Sequence, residues 1–329
     1  MSRQRLPAEF DLIAEIFAPL ASGTPGAFGL TDDGAVIEVA RGKRLVVTVD
    51  AMVENVHFLA EDPPADVGRK LLRVNLSDLA AMGAEPLGYV LATVLPVDTD
   101  RAWVEGFAAG LAEDQAHFGI GLYGGDTTST PGPLTMSLTA FGQVEPGREL
   151  RRSGARVGDR IYVSGTIGDG ALGLKAIRGT LGGIDKPARA YLAGRYRLPT
   201  PRLALGQGLV GLASAALDIS DGLVGDLGHI AETSGVRGVV EAGRVPLSDA
   251  VRQALAADPG LVEDILSGGD DYELLFTAPA GAAGRLAELS RSLDLPLTEI
   301  GRIEAGSGVA VVDETGADIP LKSQGFRHF

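Results

Sequence analysis

Aspartates beside glycines or at the ends of apolar runs are the residues of this chain best suited to chemistry. They recur at separated places in the sequence: Asp32-Asp33, Asp50, Asp78, Asp126, Asp218 with Asp221, and Asp270-Asp271. Such positions are typical of the point where a strand ends and a loop begins, so a carboxylate there can face a ligand. Carboxylates gathered in one place repel each other, and a hard divalent cation such as Mg²⁺ relieves that repulsion. The pattern therefore predicts a metal-dependent site of the kind used in phosphoryl transfer.

The acidic positions near the N-terminus also have structural interpretations. The pair Asp32-Asp33 precedes a glycine, and aspartate is common in turns because it hydrogen-bonds to nearby backbone. Asp50 follows the apolar run Leu45–Val49, where it either ends a strand or is displayed as a ligand at a sheet edge. His57 lies between apolar neighbours, and a lone histidine of this kind is usually structural.

The run from Asn75 to Gly83 has a helical pattern in which Asn75, Asp78 and Met82 share one face. Asp78 is flanked by leucine and alanine, so we expect its carboxylate to lie near the protein interior. A buried carboxylate without a partner is costly, so it should pair with a cation. A role as a helix cap suits Asp78 less well, because the helical pattern continues on both sides of it.

A second motif places two glycines before an acid and two hydroxyls, Gly124-Gly125-Asp126-Thr127-Thr128. Glycines allow backbone N–H groups to approach a phosphate closely, and the acid can hold its metal ion. The sequence contains no Gly-Lys-Ser or Gly-Lys-Thr, which argues against a P-loop kinase.

A third motif, Asp218-Ile219-Ser220-Asp221-Gly222, falls where a predicted strand gives way to a helix. A helix N-terminus favours anions, although Ser220 or Asp221 could equally be a simple N-cap. The glycine loop of residues 165–170 also precedes a predicted helix and could meet a phosphate. Arg152 offers a planar cation for a phosphate oxygen, or is one of an ordinary solvated arginine pair.

Length and composition bound the class of protein. At 329 residues the chain is long for one hydrophobic core, so two domains are expected. The formal net charge of −14 makes a general nucleic-acid surface a poor fit. The sequence has no cysteine, which excludes disulfides, thiolate metal sites and cysteine nucleophiles. Neither a signal segment nor a membrane helix is evident in the sequence, so no membrane partner is expected and a cytoplasmic location is the default expectation.

Apolar periodicity predicts strands and helices that alternate in both halves of the chain. The predicted helices cover residues 10–20, 64–82, 99–118, 170–178, 222–234 and 281–293, and the predicted strands cover 35–39, 45–49, 89–95, 134–144, 160–164, 216–219, 273–277 and 309–312. Short, turn-linked strands favour the α+β class, with two domains that each have a mixed or antiparallel sheet covered by helices on one side. A polar, Arg- and Gly-rich segment at 145–158 is the predicted boundary and divides the chain into domains 1–147 and 148–329.

The combination and order of these motifs resemble those of the thiamine-monophosphate kinase family. That family lies in the superfamily of aminoimidazole ribonucleotide synthetase and selenophosphate synthetase, and the resemblance covers essentially the whole chain. It is carried by the runs Asn75–Pro86, Gly124–Thr128 and Asp218–Leu223 and, more particularly for the kinase branch, by Ser267–Leu274 and the terminal Gly325–Phe329.

The resemblance implies an activity and an assembly. The implied activity is ATP-dependent phosphorylation of thiamine monophosphate to thiamine diphosphate, with ATP as co-substrate and several Mg²⁺ ions in a cleft between the two domains. The acceptor is already an anion, so direct in-line transfer needs no strong general base. The implied assembly is a homodimer built through the N-terminal domains, which would also carry the Mg-ATP site, while the C-terminal domain would complete the nucleotide and substrate site.

The resemblance also implies roles for individual residues. The Mg²⁺ shell would comprise Asp33, Thr48, Asp50, Asp78, Asp126 and Asp218, with Val49 through its backbone and Asp221 as a further ligand. The residues matching ATP-contacting positions are Gly125, Asp126, Arg152 and Ser220, and those matching positions that face thiamine phosphate are His57, Asp270 and Phe326. Asp78, Asp126 and Arg152 would carry catalysis by neutralising the charge between two polyanionic reactants.

The sequence departs from the family pattern at a few positions. Thr31 stands where the family usually has glycine before the acid pair, and Asp270 stands where it usually has glutamate. The shorter Asp270 side chain has less reach toward a substrate. Phe326 keeps an aromatic ring where Trp or Tyr is common, and it could stack on a thiamine ring.

Other functions are less well matched. Selenophosphate synthetase normally needs a reactive Cys or selenocysteine near its N-terminus, and this chain has no Cys. Aminoimidazole ribonucleotide synthetase is expected to lack both the run Gly268–Glu273 and the aromatic C-terminal tail. A non-catalytic nucleotide- or metal-binding protein is the alternative of a different class, and the retention of every acid at the metal positions argues against it.

Overall fold

Two separate β-sheets organise the chain, each in its own unit. The structure is a computed structural model that describes residues 6–321 and residue 325. The N-terminal unit comprises the residues up to Leu79 together with Ala84–Pro146, and the C-terminal unit comprises Ala80–Gly83 together with the residues from Gly147 onward. The predicted α+β class with two sheet-and-helix units is confirmed.

Both units contain helices and strands. The helices are α1 (Glu9–Leu12), α2 (Pro64–Ala81), α3 (Arg101–Phe118), α4 (Asp169–Ile177), α5 (Lys186–Arg197), α6 (Leu203–Leu209), α7 (Leu223–Ser234), α8 (Asp249–Ala257), α9 (Val262–Ser267) and α10 (Ala283–Leu293). The strands are β1 (Arg44–Val53), β2 (Glu85–Pro96), β3 (Gly121–Thr130), β4 (Thr135–Val144), β5 (Arg160–Ser164), β6 (Ala215–Asp218), β7 (Arg237–Glu241), β8 (Leu274–Ala278), β9 (Leu297–Glu304) and β10 (Gly308–Val312).

The sheet of the N-terminal unit is mixed, with strand order β1-β4-β2-β3 among the described residues. β2 and β3 are parallel, and the other neighbouring strands are antiparallel. Along β4, Met136, Leu138 and Ala140 are buried, as expected when alternate residues face covering helices. The register pairs Leu138 with Asp50 and Ala140 with Thr48, so these two candidate site residues share the covered side of the sheet.

Helices α2 and α3 pack together at very short range, which fixes the helix that carries Asp78. A Cβ added at Gly68 would lie 2.4 Å from the Phe107 carbonyl oxygen, and one added at Gly110 would lie 2.0 Å from the Ala65 carbonyl oxygen. Only glycine permits backbones to approach this closely. The glycines therefore set the crossing of the two helices.

The sheet of the C-terminal unit is also mixed, with order β10-β7-β9-β5-β8-β6 among the described residues. Here the prediction of helices on one side differs from the structure. Leu217 and Leu275 belong to a core cluster with α7, while Leu274 and Phe276 on the opposite face belong to a cluster with α6 and α10. Because both faces of β8 are apolar, helices cover both sides of this sheet.

Some predicted elements near the N-terminus were wrong. Residues 35–39 form no strand, and β1 pairs with β4 instead of with that segment. The predicted helix over residues 10–20 is divided into α1, a π-helical turn at Ile13–Phe17 and a 3₁₀ turn at Ala18–Ala21. Within the described part of the chain, no helix is both long enough and apolar enough to cross a membrane.

Candidate active site

In the N-terminal unit, β1 and α2 bring two candidate metal ligands into contact. The hydroxyl of Thr48 donates a hydrogen bond to Oδ2 of Asp78. Both side chains are half-buried, as is Asp50, whereas the Val49 side chain between Thr48 and Asp50 is exposed. Because side chains alternate along a strand, Thr48 and Asp50 point to the covered face of the sheet. Val49 points to the opposite face, so only its backbone could bind a ligand on the covered face. Asp78 lies at the margin of the interior rather than deep within it.

Helix α2 also carries buried oxygen atoms that lack a partner. The Asn75 side chain donates from Nδ2 to the Leu71 carbonyl at 2.9 Å. Its Oδ1, and the hydroxyl of Ser77, have no hydrogen-bond partner among the described residues. Native proteins leave few buried polar atoms unsatisfied, so an orphaned acceptor one helical turn before Asp78 calls for an explanation. Mg²⁺ binds oxygen ligands such as those of carboxylate, hydroxyl and amide groups, so these residues fit a hard cation.

The glycines before Asp126 lie within strand β3 rather than in a loop. Gly125 pairs with Leu91 of β2, and a Cβ added at Gly125 would lie 1.9 Å from the Leu91 carbonyl oxygen. The glycine is therefore required for close strand pairing, a reason that the sequence motif did not reveal. The Thr93 hydroxyl lies 3.0 Å from the Thr127 hydroxyl, and the Asp126 side chain is exposed.

His57 has a defined tautomer. Its Nδ1 accepts a hydrogen bond from the Val53 N–H at 3.0 Å, and its carbonyl accepts one from Nζ of Lys70 at 3.1 Å. An imidazole nitrogen that accepts a backbone N–H carries no proton, so the neutral ring has its proton on Nε2. His57 is therefore held in place by its contacts with the Val53 main chain and the Lys70 side chain.

Asp33, the remaining candidate metal ligand of the N-terminal unit, has no described contact with Thr48 or Asp78. Asp33 is exposed, and it follows a 3₁₀ turn in which Phe28 and Leu30 have positive φ values of 50° and 61°. The described contacts bring together Thr48 and Asp78, but they do not join Asp33 to them. Phe326 lies outside the described residues.

In the C-terminal unit, the Asp218–Gly222 loop connects β6 to α7. Asp218 is buried, whereas Ser220 and Asp221 are half-buried. Gly222 has a φ of +119°, and an added Cβ would lie 2.6 Å from the backbone of Ser267. Glycine is thus required both by conformation and by space at the start of α7.

A residue that the sequence did not single out caps this loop. Oδ2 of Asp226 accepts the N–H of Asp221 at 3.0 Å and the N–H of Gly222 at 3.1 Å. Simple capping by Ser220 or Asp221, the alternative suggested by the sequence, is therefore not the arrangement found. Burial raises the pKa of Asp226 to about 7, whereas the hydrogen bonds from the N–H groups of Asp221 and Gly222 lower it. The negative charge of Asp221 raises this pKa, and the positive charge of Arg152 lowers it. The exposed Arg152 thus acts electrostatically on this loop.

Asp270 lies on a loop that is hydrogen-bonded to the Asp218–Gly222 loop. The N–H of Asp270 donates to the Ser220 carbonyl at 2.9 Å, and the N–H of Tyr272 donates to the Ile219 carbonyl at 2.8 Å. The candidate substrate residue Asp270 and the candidate nucleotide residue Ser220 are therefore connected through main-chain atoms. The structure brings these candidates of the C-terminal unit together.

The glycine loop at residues 165–170 donates hydrogen bonds to the buried carboxylate of Asp271. Oδ2 of Asp271 accepts the Gly168 N–H at 2.8 Å, and Oδ1 accepts the Gly170 N–H at 2.9 Å. These two N–H groups are therefore taken, which corrects the expectation that this loop meets a phosphate. Burial raises the pKa of Asp271 to about 8, and the two backbone donors act in the opposite direction.

A buried ionic network lies behind the Asp270 loop. Glu273 is fully buried and accepts from Nη2 of Arg195 at 3.0 Å and from Nε of Arg202 at 2.7 Å. Asp169 is also fully buried and accepts from the hydroxyls of Tyr191 at 3.0 Å and Ser248 at 2.6 Å. No spacing in the sequence links these residues, so sequence reasoning had no signal for the network.

Within residues 6–321 and 325, no three or more His, Cys, Asp or Glu side chains are grouped as a metal site. The Mg²⁺ set of Asp33, Thr48, Val49, Asp50, Asp78, Asp126, Asp218 and Asp221 therefore stays a prediction.

Both halves of the sequence match models of one superfamily. The N-terminal domain of AIR synthase related proteins matches residues 31–144, and the C-terminal domain of these proteins matches residues 156–314. A thiamine-monophosphate kinase of Caulobacter vibrioides is 45% identical over 325 residues, which is 98% of this chain and 91% of that protein. The chain belongs to the thiamine-monophosphate kinase family.

Solved structures of the thiamine-monophosphate kinase family have the same fold. The crystal structure of a thiamine-monophosphate kinase from Stenotrophomonas maltophilia is 44% identical, with a TM-score of 0.83 over 94% of this chain and 98% of that one. A structure of AaThiL complexed with AMPPCP and TMP is 34% identical, with a TM-score of 0.78 over 98% of this chain and 97% of that one. The family resemblance predicted from the motifs is confirmed.

Proposed function

We propose that this chain phosphorylates thiamine monophosphate to thiamine diphosphate with ATP, by direct in-line transfer assisted by several Mg²⁺ ions. The observation that carries the proposal is the full-length similarity to AaThiL, whose structure holds AMPPCP and TMP together. The candidate residues of this chain supply the chemistry that such a pair of ligands needs: hard oxygen ligands, an arginine and a neutral histidine donor.

The acidic residues would hold the metal ions. Asp33, Thr48, Asp50, Asp78, Asp126, Asp218 and Asp221 offer oxygen ligands, with the Val49 carbonyl in addition. Bound Mg²⁺ would neutralise the charge of two anionic reactants that otherwise repel each other. The Thr48–Asp78 contact orients one of these carboxylates before any ligand arrives, which reduces the cost of organising the site.

The two substrates would be held by different groups. Gly125, Asp126, Arg152 and Ser220 are the proposed nucleotide contacts, of which Arg152 is exposed and can move onto a phosphate. His57, Asp270 and Phe326 are the proposed contacts to thiamine monophosphate. His57 would donate from Nε2 to the acceptor phosphate, because Nδ1 is already occupied by the Val53 N–H. Since that phosphate is an anion at neutral pH, it can attack without a general base.

We also propose a homodimer built through the N-terminal unit, which would be the dimerisation and Mg-ATP domain of residues 1–147, while residues 148–329 complete the site. β1 is an edge strand, and it exposes Leu45, Val47 and Val49 in a row with exposed fractions of 44%, 55% and 60%. An unpaired edge with an apolar row is a liability that proteins usually cover. A second copy of this chain is the proposed cover.

A coupled assay of ADP release tests the function. We expect purified protein with Mg-ATP to release ADP only when thiamine monophosphate is added, and ³¹P NMR to identify thiamine diphosphate as the product. ADP release that does not require thiamine monophosphate would refute the proposed acceptor, and a protein that binds nucleotide without turnover would support the non-catalytic alternative.

Substitution of the proposed metal ligands makes the test specific to the site. Asp78→Asn and Asp126→Asn keep the shape of each side chain but remove its charge, so turnover should be lost while circular dichroism stays unchanged. Near-normal turnover of either variant at saturating Mg²⁺ would contradict the proposed role of that residue.

A further inference from the structure

The loop of residues 268–273, which we call the substrate loop, has an unusual backbone. Asp270 and Tyr272 have positive φ values of 71° and 51°, in the left-handed region that favours glycine. Residues other than glycine keep this conformation only when their surroundings enforce it. The residues that enforce it are therefore part of what places the Asp270 carboxylate.

Asp271, between these two residues, attaches the loop to the start of α4. Its side chain is only 1% exposed, and its two oxygens accept the N–H groups of Gly168 at 2.8 Å and Gly170 at 2.9 Å. A carboxylate that accepts two backbone donors is fixed in both position and orientation. Asp271 therefore holds the middle of the substrate loop to a helix end.

Arg195 on α5 joins Asp271 to the end of the same loop. Its Nη2 lies 3.4 Å from the Asp271 carbonyl and 3.0 Å from Oε1 of Glu273, which is fully buried. Glu273 is held in turn by Nε of Arg202 at 2.7 Å and by the Ser164 hydroxyl at 2.6 Å. Two alternate residues of the loop are thus anchored on its inner side.

The outer side of the loop has no room to shift. The N–H groups of Asp270 and Tyr272 are bonded to the Asp218–Gly222 loop, as described above. A Cβ added at Gly269 would lie 2.2 Å from the Ser220 carbonyl oxygen, and one added at Gly170 would lie 2.3 Å from the Asp270 carbonyl oxygen. The substrate loop is therefore clamped between the start of α4 and the Asp218–Gly222 loop.

We propose that Asp271, assisted by Arg195, is a positioning residue that sets the placement of the Asp270 carboxylate for thiamine monophosphate. This inference rests on the proposed function, because Asp270 is assigned there to the substrate. Aspartate at position 270 has a shorter side chain than the glutamate usual in the family. Its carboxylate can therefore compensate less for a shift of the backbone, so the position of the backbone matters more.

Asp271→Asn tests the inference with little change of shape. The amide can accept one of the two N–H groups but turns a donor toward the other, so the loop loses one anchor. We expect the Kd for thiamine monophosphate by calorimetry, and its KM, to rise about tenfold, as one buried N–H group left without an acceptor predicts. The KM for Mg-ATP and kcat should change less than about threefold, because the Asp271 side chain bonds to Gly168 and Gly170 and to none of the proposed nucleotide contacts.

Asp159→Asn is the matched control. Asp159 is a buried acid of the same unit that also accepts two hydrogen bonds, from the Arg156 N–H at 2.9 Å and the Ser214 hydroxyl at 2.6 Å. Its loss should lower stability without changing the Kd for thiamine monophosphate. A merely structural role for Asp271 would give the same result in Asp271→Asn: fewer active molecules, lower kcat and an unchanged Kd.

Arg195→Lys gives a second measurement if Asp271→Asn does not fold. Lysine keeps the charge but lacks the fork that spans the Asp271 carbonyl and Glu273, so a smaller rise in the same Kd is expected. An unchanged Kd for thiamine monophosphate in the variants that fold, beside an active wild type, would overturn the inference alone. A wild-type protein that neither binds nor phosphorylates thiamine monophosphate would overturn the proposed function as well.

Discussion

Thr48 donates its hydroxyl hydrogen to the carboxylate of Asp78, and this hydrogen bond joins the edge strand of the N-terminal sheet to helix α2. The two residues are separated by 30 positions in the sequence. Their pairing has a simple origin, because alternation along β1 turns Thr48 toward the helix-covered face of the sheet. Both residues belong to the proposed Mg²⁺ set, so the contact connects the fold directly to metal affinity.

Removal of the Thr48 hydroxyl should therefore weaken the affinity of the active site for Mg²⁺. Thr48→Val keeps the branched shape that suits a strand, but it can neither orient Asp78 nor bind a cation. We expect the Mg²⁺ concentration for half-maximal turnover to rise about five- to tenfold, on the order of 1 kcal/mol. Thr48→Ser retains the hydroxyl and serves as the control. Equal Mg²⁺ dependence in the valine and serine variants would show that the hydroxyl has no role.

The two longest helices were predictable from the sequence, whereas several strands, among them β3, β7 and β9, were not. α2 and α3 follow the apolar stripes at 64–82 and 99–118 closely, because those stripes face a core. β3 was missed, since Gly124 and Gly125 indicate a loop when only local preferences are considered. Its glycines are required by the neighbouring strand, and a single sequence carries no local sign of that contact.

The pH dependence of stability should include a contribution from Asp271. Its pKa rises from an ordinary value of 3.8 to about 8 because it is buried. Below pH 4 both folded and unfolded states hold the proton. Between those pKa values only the folded state does, so the free energy of unfolding falls as pH rises, by at most about 1.4 kcal/mol per pH unit.

Asp271→Asn removes this titrating group, so its free energy of unfolding should depend less steeply on pH between 5 and 8. Urea denaturation of the wild type, Asp271→Asn and Asp159→Asn at several pH values measures the slopes. If the Asp271→Asn slope equalled that of the wild type, Asp271 would not be the group that titrates.

The residues of the candidate site stay predictions, and the residues that hold them in place could not be predicted from the sequence. The motifs led to Asp126, Asp218 and Asp270 because glycines and strand ends mark them, and to Asp78 because it is an acid on an apolar helix. Asp226, Arg195 and Arg202 were missed, although they hold the loops that carry the predicted residues. These supporting residues contact the site because the folded chain brings them close to it. Their spacing along the sequence does not reveal that they are close.

The ion pairs between α2 and α3 should contribute strongly to stability. Asp114 on α3 is 1% exposed and accepts from Nε of Arg73 at 2.6 Å and Nε of Arg69 at 3.1 Å. Asp114→Ala leaves two arginines without their buried partner and should destabilise the protein by about 3–5 kcal/mol. Glu113→Ala removes a neighbour that is 63% exposed and lies 3.3 Å from Arg69, so a loss below about 1 kcal/mol is expected.

Urea denaturation of these two variants decides the point. A loss for Asp114→Ala no larger than that for Glu113→Ala would mean that the buried carboxylate is not needed to hold the helices together.

Substitution by alanine should have opposite effects on stability at two helical glycines, one at the crossing of α2 with α3 and one away from it. At Gly110 an added Cβ would lie 2.0 Å from the Ala65 carbonyl oxygen, so Gly110→Ala must separate α2 from α3 and destabilise the protein by several kcal/mol, roughly as overpacking does. At Gly228 within α7 nothing lies within 4 Å of the added Cβ, so Gly228→Ala should stabilise by about 0.5–1 kcal/mol. Thermal unfolding measures both, and a neutral Gly110→Ala would contradict the close crossing.

The proposed dimer can be tested at the apolar row of β1. Val47 is 55% exposed in the middle of that row, between Leu45 and Val49. A charge placed there would be desolvated in a dimer, at a cost of several kcal/mol, but would be harmless in a monomer. Sedimentation of Val47→Asp should therefore reveal monomers at concentrations where the wild type is dimeric.

Val97→Asp is the control for this substitution, since Val97 is 80% exposed and lies outside β1. It should leave the dimer intact, because a single exposed apolar side chain needs no cover. The comparison separates loss of the interface from a general effect of added negative charge on a chain whose net charge is already −14. A wild-type protein that sediments as a monomer would refute the proposed dimer. A Val47→Asp variant that stays dimeric would show that the interface does not include the apolar row of β1.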